Sequence, residues 1–149
     1  MRLPDLSRFT RRRRREPELT RAEALSARPL RNPVITWEQQ ATGLVLLTVP
    51  VELKPWMRML QAVIKVPAER KVELDELGSD VWQWVDGEAT VGDLVARLGE
   101  SHKLHRREAE VSLTQFLQTL AKRRFLGFAL ELDERRAEEL GAALGRPDS

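Results

Sequence analysis

Between Val34 and Phe125 the hydrophobic positions recur first at every second residue, then at every third or fourth. Val34–Gln40 alternates loosely, with Val34, Thr36 and Glu38 on one side and Ile35, Trp37 and Gln39 on the other. Ala41-Thr42-Gly43 supplies a turn, and the denser apolar run Leu44–Val51 follows, so the two segments read as a β-hairpin. Arg70–Leu74 alternates again, Val72 and Leu74 pointing one way and Lys71 and Glu73 the other. Between these strands, Lys54–Ala68 changes period. Pro55 suits a first helical turn, and Trp56, Leu60, Val63 and Ile64 fall on one face, flanked by Lys54, Arg58 and Lys65 and stopped by Pro67. That pattern predicts a short lid helix packed on the hairpin.

Three helices are predicted next. Asp75 is placed to cap the first, whose stripe is Leu77, Val81, Trp84 and Val85, and Asp86-Gly87 ends it with glycine at the left-handed position. Thr90 caps the second, with Asp93 as a shortened capping-box acid, and Val91, Leu94, Val95 and Leu98 form its inner face before a linking turn over Gly99–Leu104. The third runs from Arg106 to Arg124, with Ala109, Leu113, Phe116, Leu117 and Leu120 inward and Val111, Gln115, Gln118 and Lys122 outward. Phe125–Leu130 leaves it as an extended tail or wing, and Asp133–Leu144 is a last, weakly amphipathic helix. Trp37, Trp56, Trp82 and Trp84 read as core or rim anchors.

This order predicts an α+β fold of winged helix-turn-helix type: a three-stranded antiparallel sheet packed on three helices, plus a C-terminal helix. The implied organisation is a basic arm over 1–33, a domain over 34–130 with an insertion at 54–69, and a C-terminal helix and tail over 131–149.

Composition narrows the chemistry. With no cysteine in 149 residues, disulfides, Cys-ligated metals and thiol nucleophiles are removed together. His102 and His105 lack the further ligand that a helical metal pair needs, and His105 is better placed near a helix N-cap. Glu73, Asp75, Glu76 and Asp80 surround a helix N-terminus, where negative charge is favoured without any catalytic role. No glycine-rich phosphate loop or nucleophile elbow is present, so the expectation is a non-enzyme without a cofactor. The longest apolar run is too short to span a bilayer and no apolar stretch follows the basic start, which points to a cytoplasmic protein.

The net charge of +2 conceals an asymmetry. Residues 1–33 carry ten Arg against four acids, including the unbroken run Arg11–Arg15, and the remainder is acidic with fifteen basic and nineteen acidic residues. The arm reads as a solvated, disordered tail or as an anion-seeking segment for RNA, acidic lipid or an acidic partner. The acidic remainder weighs against nucleic acid as a ligand of the folded domain. A winged-helix DNA regulator is still one alternative, with Arg106, Arg107, Lys122, Arg123 and Arg124 on phosphates and Thr114, Gln115 and Gln118 toward bases. A docking scaffold without peptide cargo is the other.

Three stretches in this order carry a resemblance: a strand ending in Leu74-Asp75 directly before a helix, VWQWVDGEATVGDLV (81–95), and REAEVSLTQFLQTLAKRRFLG (107–127). Together they resemble the PqqD-like family of peptide chaperones, or RiPP recognition elements, over about Val34–Phe128. The resemblance implies binding of the leader segment of a ribosomally made precursor peptide, added as a strand and presented to a modifying enzyme, typically a radical-SAM maturase. Carried onto this chain, it places Arg70, Lys71, Val72, Glu73 and Leu74 on one wall of the groove and Val111, Gln115, Gln118 and Lys122 on the other. The basic Arg70, Lys71 and Lys122 then favour a leader with acidic and aliphatic residues. The segment 54–69, the arginine arm and the C-terminal helix are additions to the family pattern.

Overall fold

The computed structural model describes residues 19–64 and 68–144. Strands β2 (Thr36–Gln39), β3 (Val45–Pro50) and β4 (Glu69–Glu73) form one antiparallel sheet in the order β2-β3-β4. Three helices follow: α3 (Glu76–Trp84), α4 (Val91–His102) and α5 (Arg106–Lys122). The expected α+β arrangement of three strands and three helices is therefore present, with a C-terminal helix α6 (Glu134–Leu144) beyond it. Val45 and Leu47 of the central strand, Val81, Trp82 and Val85 of α3, Leu94 and Leu98 of α4, and Leu113 and Leu117 of α5 share one buried cluster.

Local signals set the helix ends. The Asp75 carboxylate accepts from Gly78 N–H at 2.7 Å, and Thr90 and Asp93 form a reciprocal capping box. His105 is the N-cap residue of α5, although its side chain makes no capping bond. Gly87 takes a positive φ of +84° and lies two residues beyond the last helical residue of α3 plus its cap, where a Cβ would also meet Leu30 Cδ2 at 2.5 Å. Gly99 is helical, contrary to the linking turn expected from it. α4 instead runs on to His102 and stops at Lys103, which is left-handed with φ 53°. His102 Nε2 pairs with the Asp80 carboxylate at 2.8 Å, tying the end of α4 to α3.

Two expectations about the periphery need correction. The first concerns the arm, which does not extend to residue 33. Helix α1 (Arg21–Ser26) opens with a Thr20/Glu23 capping box, and β1 (Arg28–Arg31) pairs antiparallel with β5 (Leu126–Ala129). The predicted tail or wing at 125–130 is thus a strand in a second, two-stranded sheet. Asn32 reinforces it, its N–H donating to Phe125 O at 2.9 Å and its side-chain amide to Arg124 O at 2.8 Å. The run Arg11–Arg15 lies outside the described residues.

The second concerns helix α2 (Pro55–Gln61), which is not a lid packed on the hairpin. Trp56, Leu60, Val63 and Ile64 are all exposed, whereas Met57 and Leu53 are half-buried. Periodicity identified an apolar face correctly but not its environment, because nothing in a local pattern specifies a covering element.

The N-terminal helix is clasped by two ion pairs. Arg21 holds Glu110 of α5 through both carboxylate oxygens at 2.8 and 2.7 Å, and Arg136 of α6 holds Glu23 at 2.8 and 3.2 Å. The Arg136 hydrogen bonds, with help from Thr20, hold the Glu23 carboxyl below its ordinary range, and the Arg21 bond does the same for Glu110. A carboxylate with a depressed folded-state pKa contributes stability above its unfolded pKa and loses it as pH falls through the folded value. Acid should therefore loosen α1 from α5 and α6. Thermal melts of the native chain and a Glu23→Gln/Glu110→Gln double variant are expected to differ most at neutral pH and to converge as the medium is acidified below about pH 4. A constant gap across that range would refute the linkage.

Candidate functional site

β4 is an edge strand: among the described residues its only partner is β3. The register pairs Thr48 with Lys71 and Leu47 with Val72. Two bonds just beyond the strand ends fix the direction of each peptide unit, Val51 N–H to Ala68 O and Leu74 N–H to Val45 O, both 2.9 Å. Antiparallel ladders alternate between bonded and non-bonded pairs. Arg70, Val72 and Leu74 thus direct their backbone groups at β3, whereas Glu69, Lys71 and Glu73 turn their N–H and C=O groups outward. The side chains alternate in the same way, Leu74 buried and Val72 half-buried, with Lys71 and Glu73 exposed.

Ser79 ties this strand to the body. Its hydroxyl accepts from Val45 N–H at 2.8 Å and donates to Leu74 O at 3.2 Å, so it stands in for a missing rung between β3 and the chain leaving β4. At the same corner α5 approaches closely. A Cβ on Gly78 would lie 2.8 Å from Phe116 Cε2 and 2.8 Å from Asp75 Oδ1. Phe116 therefore marks the flank of α5 that turns toward the β4–α3 corner, and helical spacing places Ser112, Thr119 and Arg123 on the same flank.

The expected second wall divides differently. Val111 is 49% exposed and lies with Arg21, Arg106, Arg107 and Glu110 around a hollow beside α1. Gln118 and Thr114 border a small apolar hollow of about 150 Å³ with Leu19, Ala24, Ala27 and Phe128. Gln115 and Lys122 are exposed on the outer surface. The structure thus brings Arg70–Leu74 together as one edge, but sets Val111 and Gln118 toward α1. Phe116 was assigned inward by its spacing, yet is only half-buried and packs at the corner. Its signal in the sequence was glycine at position 78, the small residue that admits an aromatic ring against a helix N-terminus.

Among the described residues no group of three or more His, Asp or Glu is arranged to hold a metal, and no helix is long and apolar enough to cross a membrane. The fold and its free edge define a small α+β module whose most available chemistry is backbone pairing. Residues 62–126 match the family model for Coenzyme PQQ synthesis protein D (PqqD). Over this stretch, from the end of α2 to the start of β5, the chain is similar to that family. No curated protein and no solved structure matches the chain.

Proposed function

We propose that the chain binds the leader segment of a ribosomally synthesised precursor peptide as an added strand on β4 and presents it to a modifying enzyme of the radical-SAM class. The similarity to the PqqD family model supports a peptide-binding accessory role. The observation that carries the finer reading is the free β4 edge, with Glu69, Lys71 and Glu73 offering unpaired backbone groups that an extended peptide satisfies. β2 also borders the sheet, but only β4 lies within the family match and leads into the start of α3, where Phe116 packs. The edge carries no net charge, Arg70 and Lys71 being balanced by Glu69 and Glu73, so the two cations offer individual ion pairs to acidic leader residues, and the half-buried Phe116 offers an apolar contact for an aliphatic one. Glu108 in the first turn of α5 repels the phosphates that the duplex-binding alternative needs.

The test removes one outward donor without touching the inner ladder. Proline is tolerated on an edge strand where its missing N–H would face solvent. Titration of an acidic-aliphatic leader peptide is expected to show at least about tenfold weaker binding to Lys71→Pro, and a smaller, salt-dependent loss for Lys71→Ala, which keeps the N–H. Equal affinity of Lys71→Pro and the native chain would exclude strand addition at β4.

A further inference from the structure

Helix α2 and the turn after it carry five exposed large apolar side chains, two of them the most exposed of that kind among the described residues. Trp56 is 60% exposed, Met59 79%, Leu60 40%, Val63 85% and Ile64 58%. They recur at i, i+3, i+4, i+7 and i+8, so they share one face, and Ile64 N–H still bonds Leu60 O at 2.7 Å, extending the helical path past Gln61. A contiguous apolar face on an otherwise polar surface marks an interaction site.

The surrounding charge identifies the occupant. Between Glu52 and Glu69 the sequence has no acidic residue, although the chain holds 23 Asp and Glu, and within that window stand Lys54, Arg58 and Lys65. Lys54 and Arg58 are exposed, and helical spacing places them on the side away from the apolar face. Large apolar side chains including Trp, a cationic polar side and no carboxylate are the chemistry of a helix that lies in the plane of an anionic bilayer surface. An apolar anchor this short gives only weak attachment alone, and stable attachment takes a second signal. The five consecutive arginines at Arg11–Arg15 supply one, since each basic group near an anionic leaflet adds to binding.

We infer that α2 is an interfacial anchor, inserting Trp56, Met59, Leu60, Val63 and Ile64 into an anionic phospholipid surface, with Lys54 and Arg58 on its polar side. The domain then works at a membrane without spanning it. This inference stands apart from leader binding, because α2 and the outward groups of β4 are separately mutable.

The test is vesicle co-sedimentation of the full chain, with tryptophan emission as a second readout. Binding is expected to vesicles containing phosphatidylglycerol, with a blue shift that Trp56→Phe diminishes, and to fall steeply with phosphatidylcholine alone or at high salt. Met59→Glu/Val63→Glu should lower partitioning at least about tenfold. Because both positions are exposed, its thermal melt should match the native chain, and leader affinity should be unchanged. Replacing Arg11 through Arg15 by glutamine should weaken binding while the blue shift persists at saturating lipid. Failure of the native chain to bind anionic vesicles, or equal binding by the Met59→Glu/Val63→Glu variant, would overturn the proposal. Loss of leader affinity in that variant with vesicle binding intact would overturn it too, assigning the face to a peptide.

Discussion

Trp82→Ala is expected to destabilise the protein by about 3–5 kcal/mol, the range for removing a large aromatic from a closed core. Trp82 is fully buried, and α3 lies between the central strand β3 and helix α4, so neither side can close over the space left behind. Against a typical domain stability of about 5–15 kcal/mol, such a loss takes a large share of the total. Trp82→Phe separates the ring from its polar atom. The indole Nε1–H is buried and has no hydrogen-bond acceptor among the described residues, so the native residue already carries a cost that Phe does not. Phe is therefore expected to cost less than about 2 kcal/mol, much less than Ala. Urea unfolding followed by circular dichroism gives both values, and a Trp82→Ala cost below about 1 kcal/mol would mean that α3 is not anchored through this ring.

The position of Trp82 also shows what a stripe of hydrophobic spacing can and cannot reveal. The i, i+4, i+7, i+8 pattern selects Leu77, Val81, Trp84 and Val85. In the structure Val81, Trp82 and Val85 are buried, while Trp84 is half-buried under the Arg97 guanidinium at 4.5 Å. A helix covered on two sides buries an arc wider than one stripe, and neighbouring residues then share the core. Strands and caps were legible because their causes are local: alternation in Arg70–Leu74, the Asp75 carboxylate, and the Thr90/Asp93 box. The β1–β5 ribbon was not, because Arg28-Pro29-Leu30-Arg31 resembles a charged linker and its partner is nearly a hundred residues away. The free edge of the candidate site was legible from strand order. Its second wall was not, since helical spacing shows which face of α5 is outward but not which flank turns to β4. The Phe116–Gly78 contact shows which flank of α5 meets the start of α3, and it is tertiary.

Ser79→Ala is expected to cost about 2–4 kcal/mol, far more than a hydroxyl deletion on a surface. The side chain is buried and its oxygen serves two backbone groups at once, accepting from Val45 N–H and donating to Leu74 O. Removing it strands a donor and an acceptor in the core, and each unsatisfied buried group costs about 1–3 kcal/mol. Thr119→Ala is the control. Its hydroxyl bonds only to Gln115 O on the exposed face of its own helix, so its loss should stay within about 0.5 kcal/mol. Ser79→Ala is expected to act on function as well as stability. Ser79 fixes the point at which β4 passes into α3, so Ser79→Ala should also weaken leader binding under conditions where the variant is still fully folded. Denaturant unfolding and peptide titration on the same samples test both effects. A loss of stability with unchanged affinity would show that the β4 edge holds its geometry through β3 alone, without this side chain.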